Sequence, residues 1–243
     1  MAGTRAWVAA LAGLAIAATA VSKSSAEEGA SAEPGWRRFV DVLSKHYPAE
    51  YRQADAQLAK HSDDDRTAKA AAIRKIVWPL QRRAMGFASD DDSLQMVALT
   101  VDELRAAHLV SADACLDALD GKPWLGVTPP ALLDRELGLW ATLLERAATS
   151  RRELRPALSE RDLDRLYDAA FEKLTGADLK VLEDLARADR GAQSAVELEA
   201  TCRLNIRLLE AVLNEGAATA GGWMRKTAAE WEAADAATDR PGR

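Results

Sequence analysis

Apolar residues recur every three or four positions through most of this chain. The pattern is clearest over residues 36–43, 73–87, 133–144 and 198–213. Residues at this spacing share one face of an α-helix. Alanine, leucine, arginine and glutamate dominate these stretches, whereas β-branched and aromatic residues, which favour strands, are sparse. The pattern predicts an all-α protein, an irregular multi-helix bundle of about seven to nine helices.

An uncharged apolar run, residues 6–21, follows Arg5 near the N-terminus. A basic residue, an apolar run and small residues before a cleavage point are the layout of an export signal. We predict a signal peptide over residues 1–26, with the mature protein periplasmic or secreted. The alternative is an anchor to the inner membrane through residues 6–21, although this run is shorter than the roughly 20 apolar residues of a typical span.

The distribution of glycine and proline predicts how the rest of the chain is divided. A segment rich in both residues, 120–130, separates two helical stretches. A disulfide between the stretches favours one cooperative body. The predicted parts are a disordered linker at 27–34, a single helical domain at 35–216 with possible halves 35–119 and 128–216, and a C-terminal tail at 217–243.

The charge balance excludes one class of partner. Removal of residues 1–26 takes away Arg5 and Lys23, which leaves 30 basic and 38 acidic side chains and a net charge of about −8. Nucleic-acid affinity comes largely from neutralised phosphates, which an acidic protein repels. We therefore expect no nucleic-acid partner.

The chain has two cysteines, Cys115 and Cys202. Export places them in an oxidising compartment, where a pair is expected to form a disulfide. The alternative is two separate buried thiols.

The tetrapeptide Ser-Asp-Asp-Asp occurs twice, at 62–65 and at 89–92. A serine before a helix accepts a hydrogen bond from the first turn, and acidic residues there interact with the positive end of the helix dipole. The alternative is a weak cation site formed by the two acidic runs together. We favour helix caps, because a serine or threonine followed by an acid three residues later recurs elsewhere in the chain. The predicted cap residues are Ser62, Ser89, Thr100, Ser159 and Thr175.

One predicted helix is basic within this acidic protein. Residues 66–87 contain six basic residues and no acidic one. Such a face can meet an acidic protein or anionic lipid, although a solvated face paired with neighbouring acidic helices is the simpler interpretation. The candidate binding residues are Arg74, Lys75, Arg82 and Arg83.

Catalytic and cofactor motifs are not found in the sequence. The three histidines, His46, His61 and His108, do not pair at the spacing of a helical zinc site, and no Cys-x-x-Cys or phosphate-binding glycine loop occurs. We predict no metal, no cofactor and no catalytic residue. The alternative is an envelope hydrolase or metal-dependent enzyme whose site is assembled from dispersed acids and a histidine.

The stretch Leu174–Glu199, with its motif ADLKVLEDL and Gly191, resembles the helical repeat near the C-terminus of many exported bacterial proteins of unknown function. The resemblance implies an exported helical protein and assigns no catalytic residue. The sequence therefore predicts an exported, non-enzymatic helical protein of the bacterial envelope that binds a protein partner or envelope component. Membrane contact is possible for such a protein but is not favoured.

Overall fold

The computed structural model describes residues 34–61, 66–119, 129–150, 156–187 and 193–238, and these residues form α-helices without any strand. The all-α prediction is confirmed. The described residues contain ten helices instead of seven to nine. They are α1 (Pro34–His46), α2 (Pro48–Leu58), α3 (Arg66–Met85), α4 (Asp90–His108), α5 (Ala112–Leu119), α6 (Pro130–Thr149), α7 (Glu160–Phe171), α8 (Gly176–Arg187), α9 (Ala195–Glu215) and α10 (Ala217–Thr238).

Several predicted features lie outside the described residues: the signal peptide 1–26, the alternative anchor 6–21, linker positions 27–33, the interdomain segment 120–128 and the first acidic run 62–65. Pro34, assigned to the linker by the sequence pattern, is the first residue of α1. No helix within the described ranges combines the length and apolar character needed to cross a bilayer.

The described helices belong to two compact units. The four-helix unit contains α1, α2, α3 and α6; the six-helix unit contains α4, α5 and α7 to α10. This grouping differs from the predicted halves 35–119 and 128–216, because each unit takes helices from both sides of the 120–130 segment. In the four-helix unit, α6 packs on α1 and α3, so a helix that follows the segment shares a core with helices that precede it.

The core of the four-helix unit includes Phe39, Val77, Leu137, Trp140 and Leu144, which are at most 1% exposed. Their spacing is the one that the sequence predicted for the buried helix faces.

A glycine and a tyrosine connect α1 to α6. The Gly35 N–H donates to Asp134 Oδ1 at 2.7 Å, and a Cβ at position 35 would lie 2.0 Å from the Asp134 carbonyl oxygen. This close approach requires glycine. Just after α1, the Tyr47 hydroxyl donates to the Leu144 carbonyl at 2.9 Å. The two contacts hold α6 along the length of α1.

In the six-helix unit, α9 packs against α4, α5, α7, α8 and α10. The predicted disulfide between Cys115 of α5 and Cys202 of α9 is present, and both cysteines are fully buried. The bond joins the two predicted halves, 35–119 and 128–216, and both of its cysteines belong to the six-helix unit.

The C-terminal segment differs from the predicted tail. Residues Ala217–Thr238 form α10, which packs on α4 and α9 and buries Trp223 and Trp231. Glycines near the start of α10 permit close packing: a Cβ at Gly221 would lie 1.9 Å from Asp90 Oδ1, and the Gly222 carbonyl accepts from the Leu158 N–H at 3.1 Å. Small residues read as a linker because the sequence does not show which neighbour approaches them.

Three of the predicted helix caps are present. At α4, the Ser89 hydroxyl accepts from the Asp92 N–H at 3.1 Å and the Asp92 carboxylate accepts from the Ser89 N–H at 3.0 Å. Ser159 and Thr175 make the same reciprocal pair with the acid three residues later. The Ser-Asp-Asp-Asp run at 89–92 is therefore a capping box.

The cap predicted at Thr100 is wrong. Thr100 lies inside α4, and its hydroxyl donates to the Met96 carbonyl at 2.9 Å. A threonine in a helix interior can satisfy its hydroxyl in this way without ending the helix. Ser194 and Glu197 form a further capping box at the start of α9, which the sequence pattern did not predict.

Candidate functional site

The basic face predicted from the sequence lies on α3, in the four-helix unit. Arg74 and Arg82 flank the ring of Trp78, with their guanidinium carbons 5.6 Å and 5.9 Å from the ring centroid. Positions 74, 78 and 82 are four residues apart and therefore form one stripe along the helix. A guanidinium within about 6 Å of an indole ring is attracted to its face. We call these three residues the Arg-Trp-Arg stripe.

The other two predicted residues, Lys75 and Arg83, are exposed. Among the described residues, neither forms an ion pair with a carboxylate. Arg83 acts electrostatically on Tyr47: burial raises the pKa of the Tyr47 phenol, and the Arg83 charge opposes that shift. All four candidate residues thus lie on one helix, and two of them present their charge to solvent.

Lys75 also lines a groove between α2 and α3, and this groove was not predicted. The groove has a volume of about 550 Å³. Its lining residues are Gln53, Gln57, Ala72, Lys75, Ile76 and Pro79. Lys75 supplies its charge, the glutamines supply amide groups, and the remaining three side chains are apolar. We call this the α2–α3 groove.

Pro79 lies within α3, which continues through it. A proline has no N–H, so the carbonyl of Lys75, four residues earlier, lacks its regular helical donor. A proline at this position is expected to kink or divide the helix. The helix is not divided, because α3 runs from Arg66 to Met85 beside the α2–α3 groove.

A smaller groove, of about 340 Å³, lies between α4 and α9 in the six-helix unit. Glu210 pairs there with Arg105 at 2.6 Å and with Arg207 at 2.7 Å. Burial alone would raise the pKa of Glu210, but the hydrogen bonds from the two arginines outweigh it and lower that pKa. The charges of this groove are thus satisfied within the protein, which makes it the weaker candidate for a binding site.

One histidine of the described residues, His108, contacts an acidic side chain. His108 Nε2 lies 2.7 Å from Glu199 Oε1. Glu199 also contacts Arg203, whose guanidinium lies 2.5 Å from Asp178 Oδ1. The described residues contain no group of three or more histidine, cysteine or acidic side chains placed to hold a metal ion. The contact between His108 and Glu199 joins α4 to α9 as part of a charged network.

The environment of Asp178 predicts how the stability of the six-helix unit depends on pH. Burial would raise its pKa, but hydrogen bonds from Arg203 and Thr175 outweigh this effect and hold the pKa below the usual range. A carboxyl with a lowered folded pKa stabilises the fold above its ordinary pKa, and this contribution disappears as the pH falls through the folded value. We expect Asp178→Asn to destabilise the six-helix unit by about 1 kcal/mol at neutral pH.

The difference between Asp178→Asn and the unchanged protein should shrink as the pH falls below about 4, where the native carboxyl also becomes neutral. Urea unfolding from pH 7 to acid measures it. An exposed carboxyl on α7, Asp164, provides the control, because Asp164→Asn should have little effect at any pH. A difference for Asp178→Asn that stays constant across the pH range would contradict the assignment.

Of two features near the predicted face, one has a signal in the sequence and the other does not. The spacing of Arg74, Trp78 and Arg82 at four-residue intervals is a local signal and was available. The part played by Gln53 and Gln57 had no such signal, because it depends on how α2 packs on α3.

Comparison with known proteins assigns no family: no family model, no curated protein and no solved structure matches the chain. The resemblance of residues 174–199 to a helical repeat stays a prediction.

Proposed function

We propose that this is an exported, non-enzymatic helical protein of the bacterial envelope that binds an acidic part of a partner protein on the basic face of α3. The observation that carries the proposal is the Arg-Trp-Arg stripe beside the exposed residues Lys75 and Arg83. Clustered cations with an aromatic ring are typical of surfaces that bind carboxylates.

The charge of α3 supports an acidic partner. The helix sequence contains six basic residues and no acidic one, in a chain with a net charge of −6. A local positive potential attracts an acidic segment and orients it as it approaches, while the acidic remainder of the chain disfavours contacts elsewhere. Stacking on Trp78 also restricts the two guanidinium groups before binding, so fewer rotamers are lost when a carboxylate arrives.

The location also belongs to the proposal. The buried disulfide is compatible with an oxidising compartment, where such bonds persist, and the N-terminal sequence is typical of an export signal. The enzyme alternative stays a hypothesis that no contact of His108 specifically favours.

The test reverses two exposed charges on α3. We expect Lys75→Glu combined with Arg83→Glu to reduce crosslinked capture of the partner from native envelope by about tenfold or more, because attraction becomes repulsion at the contact. The matched control is Lys173→Glu with Lys180→Glu: both lysines are exposed, belong to the six-helix unit, and change the net charge equally.

The control variant should capture the partner as well as the unchanged protein. Circular dichroism and thermal melting check that both variants fold. Equal capture by the α3 variant and the control, with both folded, would contradict the proposed function.

A further inference from the structure

The length of the α2–α3 groove along α3 limits how much of a peptide it can hold. From Ala72 to Pro79 the helix rises about 10 Å, at about 1.5 Å per residue. An extended chain advances about 3.3 Å per residue, so about three residues of such a chain span this length.

The lining of the groove matches the groups of a peptide. Gln53 and Gln57 lie one turn apart on α2, and each amide offers a donor and an acceptor to a peptide backbone. Neither amide has a hydrogen-bond partner among the described residues. Lys75 and Pro79 line the opposite wall, and Pro79 leaves the Lys75 carbonyl without its regular helical donor.

The side-chain preference follows from the alternation of an extended chain. Ala72, Ile76 and Pro79 form an apolar surface that favours one aliphatic side chain. The residues on either side of that aliphatic residue point the other way, toward the rim. Lys75 lines the groove, is exposed and is next in sequence to the Arg-Trp-Arg stripe, so acidic side chains are favoured at these flanking positions.

We propose that the α2–α3 groove binds a short extended segment of the partner protein in which an aliphatic residue lies between two acidic residues. The inference rests on the proposed function and specifies the form of the ligand. The aliphatic side chain packs on Ile76 and Pro79, Gln53 and Gln57 bond to the peptide backbone, and Lys75 pairs with a carboxylate. A partner surface that presents only charge uses the face of α3 without entering the groove.

The probe is a fluorescent, end-capped peptide of sequence Glu-Leu-Glu-Leu-Glu, with Gln-Leu-Gln-Leu-Gln as its neutral counterpart. Fluorescence anisotropy with the full chain measures their affinities. We expect the acidic peptide to bind at least about tenfold more tightly than the neutral one, with the preference weakening as salt is added. Gln53→Ala with Gln57→Ala should weaken binding by about tenfold, because the backbone contacts are lost.

A second variant, Ala72→Trp, fills the groove without changing any charge and should also weaken binding by about tenfold or more. The control variant, Lys173→Glu with Lys180→Glu, should bind normally. If the charge reversal at Lys75 and Arg83 abolishes envelope capture while both groove variants bind the peptide normally, the groove inference fails and the proposed function stands.

Two further outcomes would overturn the groove inference. One is equal affinity for the acidic and neutral peptides. The other is binding of phosphatidylglycerol vesicles by the same basic residues with no binding of the acidic peptide, which would identify a lipid surface as the ligand. Loss of peptide binding in the groove variants, with their thermal melting unchanged, supports the inference.

Discussion

Replacement of both Cys115 and Cys202 by alanine is expected to lower the free energy of unfolding of the six-helix unit by about 4 kcal/mol. The bond closes a loop with a sequence separation of 87 residues, and the entropy that it removes from the unfolded chain grows with loop length. Both sulfur atoms are fully buried, so the variant also leaves a small unfilled volume between α5 and α9. Guanidinium unfolding of both proteins measures the difference.

The control for this experiment is the unchanged sequence, reduced after unfolding and then refolded with reductant. It lacks the covalent bond but keeps the sulfur atoms, so it separates the loop entropy from the packing. We expect the reduced protein to lose nearly as much stability as the alanine variant. Hydrogen exchange in α5 and α9 should increase in both. A loss below about 1 kcal/mol would show that packing alone holds these helices together.

Trp140→Ala is expected to destabilise the four-helix unit by about 3–5 kcal/mol. The indole of Trp140 is fully buried on α6, which packs on α1 and α3. Removal of so large a side chain loses its transfer free energy and leaves a cavity that the neighbouring helices fill only in part. Urea unfolding, with hydrogen exchange in α1, α3 and α6, measures the effect and locates it.

Trp140→Phe separates packing from hydrogen bonding at the same position. The indole Nε1 is buried and has no hydrogen-bond partner among the described residues. Phenylalanine keeps most of the apolar contact and removes this unsatisfied donor, so we expect a loss below about 1.5 kcal/mol. A loss for Trp140→Phe close to that for Trp140→Ala would mean that the indole N–H forms a bond that contributes to stability.

The helix starts show which features can be predicted locally. The caps at Ser89, Ser159 and Thr175 were predicted because the cap and its acid lie three residues apart, and nothing distant is needed to form the pair. Thr100 is also followed by an acid three residues later but lies within α4. The cost of breaking α4 there includes the packing of Met96, Val97 and Leu104, which are almost fully buried, and that packing is not visible in a four-residue motif.

In the candidate site, too, the residues carried by one charged helix were predicted, and the features that depend on packing were not. Arg74, Lys75, Arg82 and Arg83 were identified as a set because one helix carries them and its charge pattern is written in the sequence. The groove beside Lys75 was missed because two of its six lining residues come from α2. Buried Gln81, on α3, was also missed, since a glutamine in a helical pattern is normally assigned to the solvent-exposed face.

The amino-acid sequence by itself determined the all-α class, the helix starts after Ser89, Ser159 and Thr175, the basic composition of α3 and, because it contains two cysteines, the only intrachain disulfide it can form. These properties depend on backbone propensity, helical periodicity and composition, which act over a few residues or are counts. The tertiary structure decided that α6 belongs with α1 and α3, that the glycines of α10 contact α4 and the residues before α7, and that Lys75 lines a groove. Such contacts depend on how whole helix faces pack against one another, and each face has several possible partners until the chain folds.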